Sequence, residues 1–263
     1  MKTLRQFLRN TPVAAFIITM LRRHAGTKIK FASFQKQFRQ FSLLSQKGVT
    51  RFPVRWEDRL PCLFEQTAGT AFDRHYIYHP AWAARIVNRL QPTEHTDISS
   101  TLHFCTILSA FVPVRFYDYR PAELNLPNLS SEHADLIALP FEDNSILSLS
   151  CMHTVEHIGL GRYGDPIDPL GDLKAMKELR RVLAPGGSLL FVVPIGQPKI
   201  LFNAHRIYSY EQIAEYFAGM EIVEFSLIPD DSQEGGLLDN ATREIADAQS
   251  YGCGCFWFRK PTV

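Results

Sequence analysis

Apolar residues in this chain recur with two different periods, and from residue 80 onward the two alternate. Short runs rich in β-branched and aromatic residues predict strands at 96–98, 114–119, 134–139, 146–153, 188–195, 222–228 and 255–258. Between them, Trp82, Ile86 and Leu90 predict a short helix opened by Pro80 at its first turn, and residues 102–111 predict a second. Leu173, Met176, Leu179, Val182 and Leu183 share one face of a third helix, and residues 211–217 suit a fourth. The third helix should stop at Ala184-Pro-Gly-Gly187, since proline cannot continue the hydrogen-bond ladder and the glycines supply a turn. Strands alternating with helices give an α/β fold, a doubly wound and mostly parallel seven-stranded sheet, with the last two β-runs forming an antiparallel edge hairpin. The crossover between Asp118 and Ala134, interrupted by Pro121 and Pro127, leaves little room for a helix.

Ahead of this domain, assigned to residues 75–263, residues 1–74 form a helical extension. There Phe31, Phe34, Phe38, Phe41 and Leu44 recur every three or four positions among Lys30, Lys36, Arg39 and Lys47. Such a stripe either packs on the main domain, its ordinary fate, or lies on an anionic membrane. Charge keeps the second option open. Residues 1–60 carry 13 Lys or Arg against Glu57 and Asp58 alone, while the whole chain sums to only +1. That asymmetry suits a basic arm, within residues 1–50, touching an anionic surface, and argues against a nucleic-acid binder. The apolar stretch 12–21 is too short to span a bilayer and lacks a small-residue cleavage site, so it is expected to be retained. Five cysteines form no even framework, which points to the reducing cytoplasm, with peripheral contact at the inner membrane as the variant. Cys253 and Cys255 would share one strand face without a second ligand pair, so no metal site is expected.

Two segments carry a resemblance. The run Asp135-Leu-Ile-Ala-Leu-Pro-Phe-Glu-Asp-Asn-Ser145, followed by Leu183-Ala-Pro-Gly-Gly187 and Leu189-Leu-Phe-Val-Val-Pro194, resembles class I S-adenosylmethionine-dependent methyltransferases, in particular their small-molecule branch. His75-Tyr-Ile-Tyr-His-Pro80 and Glu156-His-Ile-Gly-Leu-Gly-Arg-Tyr-Gly-Asp165 are similar to a less characterised methyltransferase-like family associated with bacterial polysaccharide gene clusters. The resemblance implies a Rossmann-like fold, S-adenosylmethionine as cofactor, and a small-molecule or glycan acceptor such as a sugar hydroxyl. It further implies that Asp118 accepts hydrogen bonds from the ribose hydroxyls, that Asp135 binds the adenine amino group, and that the backbone of Leu136 meets the ring. Asp97, Ser99 and Ser100 stand where the family places an acidic residue and a glycine-rich loop for the methionine end. Here that loop holds no glycine, which keeps a cofactor-free scaffold as an alternative.

His153-Thr-Val-Glu156-His157 follows the fourth predicted strand, where the family faces the transferred methyl group. A histidine titrating near neutrality suits removal of a hydroxyl proton. His157 is the first candidate, Glu156 its orienter or a substrate ligand, and His153 a backup on equal footing. The same residues spell H-x-x-E-H, so a metal-dependent hydrolase is a second alternative, although that chemistry requires a helix where a β-type run leads in. After the fifth strand, Arg206 could clamp a carboxylate or phosphate, and Asn203 or His205 could read hydroxyls.

Overall fold

The computed structural model describes residues 12–47 and 51–262. The chain forms two compact units, Met1–Ala71 and Phe72–Val263. In the first, α1 (Pro12–Ser45) is a single helix of 34 residues. Part of its aromatic stripe is covered within the unit itself: the Phe34 and Phe38 rings lie 6.1 and 5.0 Å from Trp56, and Arg59 stacks on the other partner of that contact at 4.4 Å. Phe41 and Leu44, further along the stripe, stay 62% and 57% exposed. The arm's first cations, Lys2, Arg5 and Arg9, lie outside the described residues. Among the described residues, no helix is long and apolar enough to cross a membrane.

The second unit is built on seven strands. In chain order they are β1 (His95–Ile98), β2 (Val114–Asp118), β3 (Leu129–His133), β4 (Ile146–Met152), β5 (Leu183–Ile195), β8 (Glu221–Ile228) and β9 (Gly252–Arg259), with a separate hairpin of β6 (Lys199–Leu201) and β7 (His205–Ile207). The sheet order is β3-β2-β1-β4-β5-β9-β8, and β9 alone runs antiparallel to its neighbours. This is the mostly parallel, doubly wound sheet of a Rossmann-like fold. Helices α2 (Arg74–Leu90) and α3 (Leu102–Leu108) cover one face, through Trp82, Ile86 and Phe104. The opposite face is covered by α4 (Gly171–Val182) and α5 (Tyr210–Tyr216), through Met176, Leu179 and Ile213, all within 1% of complete burial. A last short helix, α6 (Arg243–Asp247), precedes β9.

Several elements depart from the sequence expectation for identifiable reasons. Helix α2 begins at Arg74, six residues before Pro80, because the Asp73 carboxylate accepts the Tyr76 amide and caps an earlier turn. The third strand is 129–133, not 134–139. Asp135 instead opens a tight turn in which its carbonyl accepts from the Ala138 amide and its carboxylate from the Ile137 amide. Residues 183–187 already belong to β5, so helix α4 passes directly into extended chain. The last two strands do form the expected antiparallel pair at the edge of the sheet, with β9 on the inner side, between β5 and β8. Between β2 and β3 there is no helix among the described residues, in line with the two prolines.

Candidate functional site

Parallel strands β1, β2 and β4 end nearly level, with Ile98 beside Tyr117 and Asp97 beside Ser150 in the ladder. Their following loops therefore meet at one edge of the sheet, where open α/β folds hold their ligands. Direct hydrogen bonds lock these loops together. The Thr154 hydroxyl donates to the Ser99 carbonyl at 2.9 Å, and the Met152 amide donates to the Ser100 hydroxyl at 3.1 Å. Ser99 has φ +55°, the left-handed conformation that glycine adopts freely, so the loop keeps a glycine-like path with a serine in it.

A cavity of about 240 Å³ opens at this edge. Of the residues singled out from the sequence, Ser99, Asp118, Asp135, Leu136, His153 and His157 line it. One oxygen of Asp118 accepts the Arg120 amide at 2.7 Å, and one of Asp135 accepts the Ile137 amide at 3.1 Å, so each carboxylate is held by its own loop while a second oxygen remains. The far wall is the loop 159–171. Asp165 organises it by accepting from the amides of Gly159, Gly161 and Tyr163, contacts that outweigh its partial burial and hold its carboxyl below the usual range. Gly159, at φ +79°, is required there: a Cβ would sit 2.0 Å from the Asp168 carbonyl oxygen.

Residues Val155–His157 form a single 3-10 turn after β4, not the α-helix a zinc hydrolase signature needs. Glu156 is 1% exposed and does not line the cavity. Its Oε1 accepts His153 Nδ1–H at 2.8 Å and lies 3.8 Å from His157 Nε2. Burial alone would raise its pKa, but the His153 hydrogen bond and the two imidazoles together hold it below the ordinary glutamate value. His157 donates Nδ1–H to the Ala204 carbonyl at 2.6 Å, which leaves Nε2 as the nitrogen with a lone pair in the neutral ring. Tyr163 meets that ring edge-on at 5.6 Å, and Arg120 stacks on Tyr163 at 4.7 Å from across the cavity.

The remaining expected residues stand elsewhere. Asp97 is fully buried behind the cavity, accepting from the Ser100 amide and the Ser150 hydroxyl, and burial pushes its pKa up to about 6. Ser100 likewise braces β4 and does not line the cavity. Both support the loop that carries Ser99. Arg206, expected to clamp an anion, turns to the chain itself. The guanidinium is 4% exposed and donates to the carbonyls of Ile158 at 2.7 Å and of Glu156 and Pro169 at 3.4 Å, with Asp172 at 3.5 Å, so its donors are spent on holding the 159–171 loop. Asn203 is exposed in the β6–β7 turn, and neither it nor His205 lines the cavity. Burial lowers the pKa of His205, whose ring lies 6.4 Å from His157.

Sequence reasoning missed Tyr163, Arg120 and Asp165. The spacing Gly159-x-Gly161-x-Tyr163-Gly164-Asp165 was the available signal, an aromatic carried on a glycine-rich loop. It also missed the buried group behind His153. The His75 and His79 rings lie 5.2 and 5.1 Å from that imidazole, and Cys253 Sγ lies 3.3 Å from its Nε2. Burial lowers the pKa of His75 to about 4 and raises that of the Cys253 thiol.

Residues 143–248, less than half of the chain, match a family model described as a Caenorhabditis protein of unknown function, DUF268. No curated protein matches the chain. Among solved structures, the chain is similar to the N-methyltransferase NodS from Bradyrhizobium japonicum WM9 in complex with S-adenosyl-L-homocysteine, at 13% identity, over 69% of this chain and 85% of that one, with a TM-score of 0.48. It is similar to the 1,6-didemethyltoxoflavin-N1-methyltransferase from Burkholderia thailandensis at 13% identity, over 70% and 79%, with a TM-score of 0.48. The cyclase SpnF matches at 13% identity, over 70% and 82%, with a TM-score of 0.49. At these identities the likeness concerns fold, and it takes in a cyclase beside methyltransferases.

Proposed function

We propose that the second unit binds S-adenosylmethionine in the cavity at the ends of β1, β2 and β4 and transfers its methyl group to a small polar acceptor. The supporting observation is that Asp118, Asp135 and Leu136 line one cavity together with His157, whose Nε2 is left as the basic nitrogen. Asp118 would take the ribose hydroxyls on the oxygen that Arg120 leaves over, and Asp135 with Leu136 would take the adenine. The cofactor supplies an electrophilic methyl group on a sulfonium, so the protein's own task is to hold an acceptor in line and remove its proton.

His157 suits that task. The Ala204 carbonyl fixes the tautomer, Nε2 accepts the proton of an acceptor hydroxyl, and the Glu156 carboxylate 3.8 Å away stabilises the imidazolium that forms. Tyr163 and Arg120 narrow the mouth over the reacting atoms and help to exclude water. We assign the acceptor to the hydroxyls of sugars or glycan intermediates, on the resemblance carried by residues 75–80 and 156–165. The cationic face of α1, with Lys28, Lys36 and Arg39 exposed, would bring the enzyme to an acceptor held on an anionic membrane.

The test is transfer of a labelled methyl group to a panel of sugars, with His157→Ala beside the wild type. His157→Ala should bind S-adenosylmethionine unchanged and turn over about 10² to 10⁴ times more slowly. A second reading, a scaffold without cofactor, is favoured by Asp97 and Ser100 facing inward, and it takes over if the folded protein binds no S-adenosylmethionine.

A further inference from the structure

Among the described residues, one group of His, Cys, Asp and Glu side chains offers three ligand atoms to a single point: His75, His153 and Cys253, mutually within 4.8 Å. They come from three separate elements. His75 lies in the first turn of α2, His153 directly follows β4, and Cys253 lies on β9. Helix α2 is fixed against the sheet by Glu224 of β8, which accepts Trp82 Nε1–H at 2.8 Å and pairs with Arg89 at 2.9 Å, so His75 is presented by a rigid element.

We propose that His75, His153 and Cys253 bind a transition-metal ion of the zinc class behind the cavity wall. Three observations carry this. The first is distance. A tetrahedral ion with bonds of about 2.0 Å to nitrogen and 2.3 Å to sulfur sets the two ligand atoms about 3.5 Å apart. His153 Nε2 and Cys253 Sγ stand at 3.3 Å, and His75 must close by at most about 1.5 Å to complete the set. The second is the tautomer. His153 gives Nδ1–H to Glu156 at 2.8 Å, which turns its Nε2 lone pair toward the sulfur, the carboxylate–histidine arrangement that orients metal ligands. The third is charge and valence left unmet. Glu156 Oε2 and His79 Nε2 are both buried without a hydrogen-bond partner, and the His79 ring lies 5.1 Å from His153. A dication balanced by the Cys253 thiolate and the Glu156 carboxylate would make the buried group neutral, whereas a second thiolate from Cys255 would leave it negative. Binding replaces the Cys253 thiol proton, which leaves to solvent.

The site shares the Glu156 carboxylate with the proposed proton removal by His157, but ion binding is read without methyl transfer and stands whether or not S-adenosylmethionine binds. Its test uses the full chain stripped of metal with a chelator and titrated with Co²⁺, then with Zn²⁺ in competition. One equivalent of Co²⁺ should give the visible bands of a tetrahedral ion and a thiolate-to-cobalt charge-transfer band, both displaced by Zn²⁺. Cys253→Ser should abolish the charge-transfer band and Cys255→Ser should keep it. Glu156→Gln should weaken the ion about 10- to 100-fold. His75→Asn, at the rim of the group, should weaken the ion at least tenfold and provides an independent reading if Cys253→Ser does not fold. Absence of stoichiometric binding by the folded wild type, a charge-transfer band that survives Cys253→Ser, or affinity unchanged in His75→Asn would each overturn the assignment.

Discussion

Asp97 should make this protein less stable at neutral pH than at mildly acidic pH, and Asp97→Asn should remove that dependence. The carboxyl is fully buried, and despite hydrogen bonds from Ser150 and Ser100 its pKa rises from 3.8 to about 6. Below pH 4 folded and unfolded chains both hold the proton, and the group does not oppose folding. Between pH 4 and 6 only the folded chain holds it; above 6 folding must carry a buried charge. The gap between 3.8 and about 6, at about 1.36 kcal/mol per pH unit, corresponds to about 3 kcal/mol lost as pH rises through this window. Asparagine fits the same place. Its carbonyl can accept from the Ser100 amide and its NH₂ can donate to Ser150 Oγ, which can turn its own hydrogen to His95 Nε2 at 2.9 Å. Urea unfolding of both proteins at pH 4 to 7 and constant ionic strength is the assay, because other titrations cancel in the difference. The stability advantage of Asp97→Asn should grow by about 3 kcal/mol from pH 4 to pH 7. Parallel curves would show that burial does not govern this carboxyl.

Two other outcomes follow from single contacts. Gly159→Ala forces a Cβ into the Asp168 carbonyl at positive φ, so it should destabilise by more than about 1 kcal/mol and expose the 159–171 loop to limited proteolysis; a variant as resistant as the wild type would show that the loop takes another path. Replacing Lys28, Lys36 and Arg39 together by alanine should weaken binding to phosphatidylserine vesicles by about 1 kcal/mol per charge, with the difference vanishing at high salt. Equal binding by the two proteins in a sedimentation assay would remove the membrane from the account.

The parts of the fold readable in the sequence are those whose period reports burial on one side. Helix α4 shows Met176, Leu179 and Val182 at helical spacing because that face alone is buried, and β4 and β5 read as apolar runs because both of their faces are covered. Strand β3 was illegible because it is an edge strand of sequence Leu-Ser-Ser-Glu-His, which has little to bury. Helix α2 starts earlier than its sequence suggests because Pro80 has the look of a first-turn residue, while the Asp73 cap that sets the true start is a weak signal. In the site, Asp118 ends a strand and His157 comes shortly after one, at the edge that strand ends define, whereas Asp135 falls inside a predicted strand and was reached through the resemblance alone. Nothing local announces that the donors of Arg206 turn to the carbonyls of a loop about 40 residues earlier. The group of His75, His153 and Cys253 could not be read at all, since only the insertion of β9 beside β5 brings a cysteine 100 residues away against His153.

Calorimetric titration of the folded protein with S-adenosylmethionine, for the wild type and for Asp118→Ala, decides whether this cavity is a nucleoside site held by Asp118. One site is expected in the wild type, with a loss of about 1 to 3 kcal/mol in the variant, a drop of roughly 5- to 150-fold in affinity. No heat of binding in the wild type, or equal affinity in the two proteins, would contradict it.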